Sequence, residues 1–268
     1  MKKALIAVAC ATSSILSIAQ PSKVGASGYS PSPFDLSAEE LPSNFRGNDC
    51  RGIATSLKKM NLKKDEFESS AKYVERIESV RGVRYFKDLQ LDSTIAFKRK
   101  GLVQPEMKYD ADKEKITIDL SVRKNSAFAL GSNPAVLNWD SIEITESKPR
   151  FYTGTNSFGA SVRVEERRFR TCAIAFANER YGALGGAWIE SEGISADVAR
   201  SAKNNLAIFY VGTLAAPYIG HISEPSPPTI DAPVDVNWEG DALIFKLQQV
   251  IAVDSKTGKV IGRKAVAE

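Results

Sequence analysis

The stretch "LAIFYVGTL", Leu206 to Leu214, carries no charged residue and is apolar or aromatic at nearly every position. A continuous apolar run of that length, rich in β-branched and aromatic side chains, is the pattern of a central strand covered on both faces. Such a strand needs sheet neighbours, and the sequence on either side supplies them. Upstream, Ser195 reads as the cap of a short helix through Asn205, with Val198, Ala202 and Leu206 as its buried stripe. Downstream, five prolines between Pro217 and Pro233 predict an extended crossover, with "EPSPPTIDAP" running along the protein's own surface. Beyond it Leu243, Phe245, Leu247, Ile251 and Val253 alternate, "DSKTG" turns, and Val260 begins a return strand, which together make a C-terminal hairpin.

Working further toward the N-terminus, "KITIDLSV" (Lys115–Val122) puts Ile116, Ile118, Leu120 and Val122 on one face, a half-buried strand. The preceding "YDADKEK" has Asp110, Asp112 and Glu114 at calcium-loop spacing but lacks the glycine and the final acid of that loop, so it reads as a polar turn. Strands are predicted again from Trp139 to Thr153 and from Phe158 to Phe176, the second interrupted by "EERRFR", where a bend or an exposed middle is expected. "YGALGGAW" is glycine-rich without G-x-G-x-x-G order and reads as a loop.

Two helices precede these strands. The first spans about 49–60, with Ile53, Leu57 and Met60 on one face and Asn48 or Asp49 as cap. The second begins in "KKDEFESSAKYVERI" (Lys63–Ile77), where Asp65 and Glu68 have capping-box spacing and Glu66 sits at the positive end of the helix dipole. Phe67, Ala71, Val74 and Ile77 follow as an apolar stripe, and Glu68 and Lys72 form an i,i+4 pair. Each carboxylate there has a structural role, which weighs against an acid/base site. The fold class expected is α+β, an N-terminal antiparallel helical pair packed on a mainly antiparallel β-sheet with a C-terminal hairpin. Residues 48–268 form one domain, or a helical 48–85 and a β-rich 86–268 subdomain, preceded by a Ser, Pro and Gly-rich flexible arm at 27–47.

Residues 1–26 read as a secretory signal peptide, with Lys2 and Lys3 ahead of an apolar run and small-residue cleavage sites ending at Ala19 and Ala26. "AVAC" around Cys10 loosely resembles a lipoprotein acylation box, but the apolar core before it is short for one. Removal of this segment takes away Lys2, Lys3 and Lys23 and no acid, so the formal charge falls from +4 to +1. That balance gives general nucleic-acid binding no electrostatic basis. No segment after the signal is apolar enough to span a membrane as a helix. In an oxidising compartment the two remaining cysteines, Cys50 and Cys172, are expected to pair, the alternative being two separate buried thiols.

The chain has one histidine, His221, which excludes multi-histidine zinc sites, and it has no C-x-x-C, G-x-S-x-G or P-loop pattern. His221 lies near Ser223 and Glu224, and a serine two residues away on an extended chain faces the same side, so a Ser-His pair is conceivable. The plainer reading is a loop histidine making one hydrogen bond. Arg163, Arg167, Arg168 and Arg170 cluster around Phe169 and suit a phosphate or carboxylate, although Glu165 and Glu166 are close enough to neutralise them. "GTNSFG" reads as a tight turn, with Asn156 and a glycine able to take positive φ and Phe158 able to return to the core, and is the best candidate for a binding loop.

"EFESSAKYVERI", "YDAD" before a strand, and "YTGTNSFGASVRV" with Tyr152, Gly154, Asn156, Phe158 and Gly159 in a Y-x-G-x-N-x-F-G element together resemble a recurring group of uncharacterised exported proteins of Gram-negative bacteria. The resemblance extends through the terminal hairpin and implies export; it carries no activity, ligand or catalytic residue. The function expected is that of an envelope protein, periplasmic or secreted, which binds an envelope protein or a small anionic ligand without catalysis, cofactor or metal. Asn156, Phe158, Arg163, Arg168 and Arg170 are its candidate binding residues. The alternatives are a periplasmic hydrolase with His221 as base and a lipid-anchored envelope assembly factor held through Cys10.

Overall fold

The structure, a computed structural model, describes residues 28–100, 105–120, 123–130, 133–177 and 187–266. The signal segment 1–26, Cys10 and most of the glycine-rich stretch 181–188 lie outside the described residues. In chain order the elements are α1 (Cys50–Leu57), α2 (Ser70–Arg81), β1 (Ile95–Lys98), β2 (Glu106–Asp110), β3 (Lys115–Leu120), β4 (Arg123–Leu130), β5 (Asn133–Glu146), β6 (Arg150–Thr155), β7 (Ser161–Phe176), β8 (Ala187–Ser191), α3 (Ala196–Asn205), β9 (Leu206–Ser226), β10 (Val234–Asp254) and β11 (Val260–Ala265).

The run at Leu206 opens β9, which is central as its composition predicts. It pairs antiparallel with β10 on one edge and with β1 on the other. The order continues β10-β7-β5-β4, with β11 added to β10 and β6 to β7, and the β10–β7 pair alone among these is parallel. Because side chains alternate along a strand, Ile208 and Tyr210 enter one apolar cluster while Ala207, Phe209 and Val211 enter another on the opposite face. A third cluster shows where the sheet curls. β4 comes back against β9, and Trp139, Phe169, Trp238 and Ile244 fill the space enclosed. The rings of Phe169 and Trp238, register partners on β7 and β10, stack at 4.3 Å. Strands β2, β3 and β8 form a separate antiparallel sheet, in which Ile116, Ile118 and Leu120 are fully buried as the alternation of "KITIDL" requires. The acidic "YDAD" segment ends β2 and opens the turn into β3, with Asp110 Oδ1 accepting from the amides of Asp112 and Lys113 at 3.1 and 3.2 Å.

Both predicted N-terminal helices are present, but they contribute unequally. Asp49 caps α1 by accepting from the Gly52 amide at 2.9 Å, and Ile53, Ala54 and Leu57 are buried against the sheet. The Cys50–Cys172 disulfide joins the first residue of α1 to β7. α2 is peripheral. It starts at Ser70 under a Ser69 cap, so Phe67 precedes the helix and is 90 % exposed, and Val74 faces outward. The expected stripe reduces to Ile77, with Tyr73 and Val80 beside it. Asp65 and Glu68 form a turn ahead of the helix, and Glu68 is held by Arg76 at 2.8 Å rather than by Lys72. That guanidinium bond keeps the Glu68 carboxyl below its usual pKa range.

Residues 28–47, expected to be a flexible arm, are instead an irregular strap. Leu41 and Phe45 are buried on the face of β9 that carries Phe209, with Phe45 and Phe209 rings 5.4 Å apart. Asn48, fully buried, fastens the strap by donating to the Ser30 and Ser32 carbonyls at 3.1 Å and accepting from the Ala96 amide at 2.8 Å. The strap also crosses the terminal turn, where the Leu41 amide donates to the Gly258 carbonyl at 2.8 Å. Gly258 has φ +83, and a Cβ there would stand 1.8 Å from the Leu41 carbonyl oxygen. Gly258→Ala is therefore expected to destabilise the protein by about 2 kcal/mol or more in urea denaturation, combining left-handed strain with the clash. Equal stability of the variant would show that strap and turn are not in contact.

The proline-rich segment is not a crossover. Pro217 and Pro225 lie within β9, and β9 returns through residues 227–233 into β10 as one long antiparallel pair. The pair tolerates Pro217 because its register breaks there: pairing stops at Leu214–Phe245 and resumes at Ile219–Leu243. Of the two expectations for "EERRFR", the bend is absent, since β7 pairs with β10 without a break from Glu165 to Phe176, while the middle is exposed at Arg168 and Arg170; the irregularity falls on β5, between Ser141 and Glu143.

Candidate functional site

The five residues singled out from sequence do not converge. β6 and β7 form a hairpin whose tip is the Asn156 turn. Asn156 Oδ1 accepts from the amides of Phe158 and Ala160 at 3.0 and 2.9 Å, and Gly159 takes φ +82. Asn156 thus spends its acceptor on building the turn. Phe158 does not return to the core but stands 94 % exposed at the tip. Arg163 lies over the Phe151 ring at 4.3 Å. With a strand period of two, Arg163 is on the face of β7 opposite Arg168 and Arg170.

Arg168 and Arg170 do share a site. Together with Lys148, Arg150, Glu166 and Glu239 they line a hollow of about 230 Å³ where β6 begins beside β7 and β10. Glu166 holds Arg168 at 2.5 Å, and Arg167, on the other face, is held by Glu146 at 2.7 Å. Part of the arginine cluster is therefore a salt-bridged strand face, and such exposed pairs contribute little to stability. Arg170 has no carboxylate within 4.0 Å among the described residues.

A larger cleft, about 460 Å³, opens between the strap, α1, β1 and β5. Its cations come from three segments: Arg46 on the strap, Arg51 on α1, and Lys98, Arg99 and Lys100 at the end of β1, facing Glu143 and Thr145 of β5. The floor is a buried set of charges. Asp140 accepts from Arg99 Nε at 2.6 Å, from the Tyr210 hydroxyl at 2.7 Å and from the Ser141 amide at 2.8 Å. Arg51 reaches Glu143 at 3.0 Å and donates to the Thr145 hydroxyl at 2.9 Å. The Tyr29 hydroxyl donates to Glu143 at 3.2 Å, and the Arg46 guanidinium lies 4.5 Å from the Tyr29 ring centre. Burial, and then the neighbouring Glu143 carboxylate, push the Tyr29 phenol up from its ordinary pKa. Burial, and then the proximity of Arg46, push the Lys98 ammonium down. Five cations thus meet two carboxylates, Arg51 engaging Glu143 and Arg99 engaging Asp140, and Lys98 is among the three that carry the surplus. Sequence reasoning passed over this cleft. Its one local signal was the run Lys98-Arg99-Lys100 directly after the apolar Ile95–Phe97.

His221 is exposed on β9, opposite Asp241, whose carboxylate is engaged by Lys58 at 2.6 Å. No hydrogen bond joins it to Ser223 or Glu224 among the described residues. Among those residues there is also no grouping of histidine, cysteine and acidic side chains that could hold a metal ion, and no helix long and apolar enough to cross a membrane. Comparison of the chain with protein-family models, curated proteins and solved structures finds no match to any of them.

Proposed function

We propose that this is an exported bacterial envelope protein that acts by binding a small, multiply charged anion in the cleft between the strap, α1, β1 and β5. The observation that carries the reading is the convergence of five cations on one cleft against two carboxylates, with Lys98 half-buried among them and its ammonium pushed down by burial and by Arg46. Such a surplus is stabilised by an incoming phosphate, sulfate or carboxylate, beside which the Arg46 and Arg51 guanidinium groups stand. The signal-peptide pattern of the sequence and the Cys50–Cys172 disulfide, a bond that persists in oxidising compartments, support export.

Calorimetric titration with pyrophosphate at low ionic strength tests the reading. Binding is expected, weakening as salt is raised, and Lys98→Gln is expected to lower affinity about tenfold, the loss of one charge-assisted contact. Absence of binding at millimolar pyrophosphate, or binding indifferent to Lys98→Gln, would overturn it.

A further inference from the structure

We infer that a second copy of this chain binds edge to edge along β6, joining the two β6–β7 hairpins into one four-stranded antiparallel sheet, an association independent of the anion-binding cleft. β7 is paired with β10 on one side and with β6 on the other, and the outer edge of β6 has no partner among the described residues. Every residue of β6 except Gly154 is exposed. The Asn156 amide donates to the Ala160 carbonyl at 3.0 Å, so the backbone of Asn156 points toward β7 and alternation turns that of Phe151, Thr153 and Thr155 outward. On β7 the same alternation sends Glu165 the other way, where its amide donates to the Pro233 carbonyl at 2.9 Å. Other edges are protected: the strap covers β1 at Gly47 and Asn48, and β2 carries Glu106, Lys108 and Asp110 at its exposed positions. From Phe151 to Thr155, β6 has no charge and no proline, and its aromatic and threonine side chains favour strands.

The sequence of that edge fits itself. A two-fold axis through Thr153 sets it opposite Thr153 of the second copy, and sets Phe151 opposite Thr155, Tyr152 opposite Gly154 and Arg150 opposite Asn156. No charged residue then faces a like charge, and the outward backbone groups of Phe151, Thr153 and Thr155 meet those of the second copy. Thr–Thr and aromatic–Thr pairs are favourable across strands, and an aromatic ring covers the bare backbone of a glycine opposite it. The same axis accounts for Phe158, 94 % exposed at the hairpin tip. Phe158 lies as far beyond Thr153 in the chain as Lys148 lies before it, so the tip of each hairpin comes beside Lys148 and Arg150 at the base of the other. Cations there suit the face of the Phe158 ring. The contact is small, and its Kd is expected to be on the order of 10 μM.

Sedimentation equilibrium of the full-length protein, from micromolar to millimolar concentration, is expected to show the mass rising from one chain toward two. Thr153→Pro removes an outward amide that no bond within the chain uses, so melting should match the wild type while the Kd rises about tenfold or more. Residues opposed in a hydrogen-bonded pair stand about 5.5 Å apart at Cα, within reach of a disulfide. Thr153→Cys should therefore give a covalent dimer on oxidation, a result that does not depend on the proline variant's folding. Thr155→Cys, which faces Phe151 of the second copy, and the wild type should not. A chain that stays monomeric throughout overturns the inference, and if it sediments instead with phosphatidylcholine vesicles through Phe158, the tip is a membrane contact. A dimer unchanged by a folded Thr153→Pro, or one that Thr153→Cys does not cross-link in preference to Thr155→Cys, is formed by another surface and overturns it as well.

Discussion

Replacing Cys50 and Cys172 together by alanine is expected to lower the stability of the protein by about 4–5 kcal/mol, the loop-closure entropy returned to the unfolded chain when a cross-link over a sequence separation of 122 is removed. A domain of ordinary stability holds about 5–15 kcal/mol in all, so the variant loses about a quarter or more of what it has. In urea the midpoint should fall by roughly 1.5–2 M at slopes usual for chains of this size. The bond ties α1 to β7, and Arg51 stands one residue beyond Cys50. Loss of the disulfide should therefore also weaken pyrophosphate binding in the cleft. Both sulfurs belong to fully buried residues, so alkylation after mild reduction should be slow in the native protein and fast in urea. A midpoint equal in the wild type and the double variant would show that the two cysteines do not pair.

The parts of this fold that are legible in the sequence are those whose burial repeats locally. The alternation of Ile116, Ile118 and Leu120 and the unbroken apolar run at Leu206 place their strands because a two-residue period needs no knowledge of the partner strand. The strap is hidden for the converse reason. Its order comes from Leu41 and Phe45 meeting Phe209, and from Asn48 meeting Ala96, contacts between segments far apart in the chain. Prolines mislead in the β9–β10 pair, since Pro217 reads locally as a break but falls where the ladder already skips. The same division governs the site. Arg168 and Arg170 are found together because they are two apart on one strand, whereas Arg163, an odd number of positions from both, is turned to the other face. The cleft draws its cations from the strap, α1 and β1, so no window of sequence contains it.

The cleft and the core meet at Asp140, and Asp140→Ala is expected to cost about 3–5 kcal/mol in urea or thermal denaturation. Asp140 is 2 % exposed, and its carboxylate joins Arg99 at the end of β1 to Tyr210 on β9 and to its own strand β5. Truncation removes the charge that balances the buried Arg99 guanidinium and takes away the acceptor of the Tyr210 hydroxyl. Asp140→Asn keeps the side chain's shape and an acceptor oxygen for Tyr210, so its cost should be smaller. Adding Arg99→Met to Asp140→Ala should restore part of the loss, because a buried ion pair removed whole is cheaper than one broken. If Asp140→Ala costs under about 1 kcal/mol, the pair contributes no more than an exposed salt bridge does. The variants also separate stability from binding. Asp140 cancels Arg99, so Asp140→Asn adds one uncompensated positive charge beside the proposed ligand. Pyrophosphate should then bind more tightly, with a steeper dependence on salt, while the melting temperature falls. Opposite signs for the two measurements are what a charge held in reserve beneath an anion site requires, and a fall in both would mean that Asp140 serves the cleft only by shaping it.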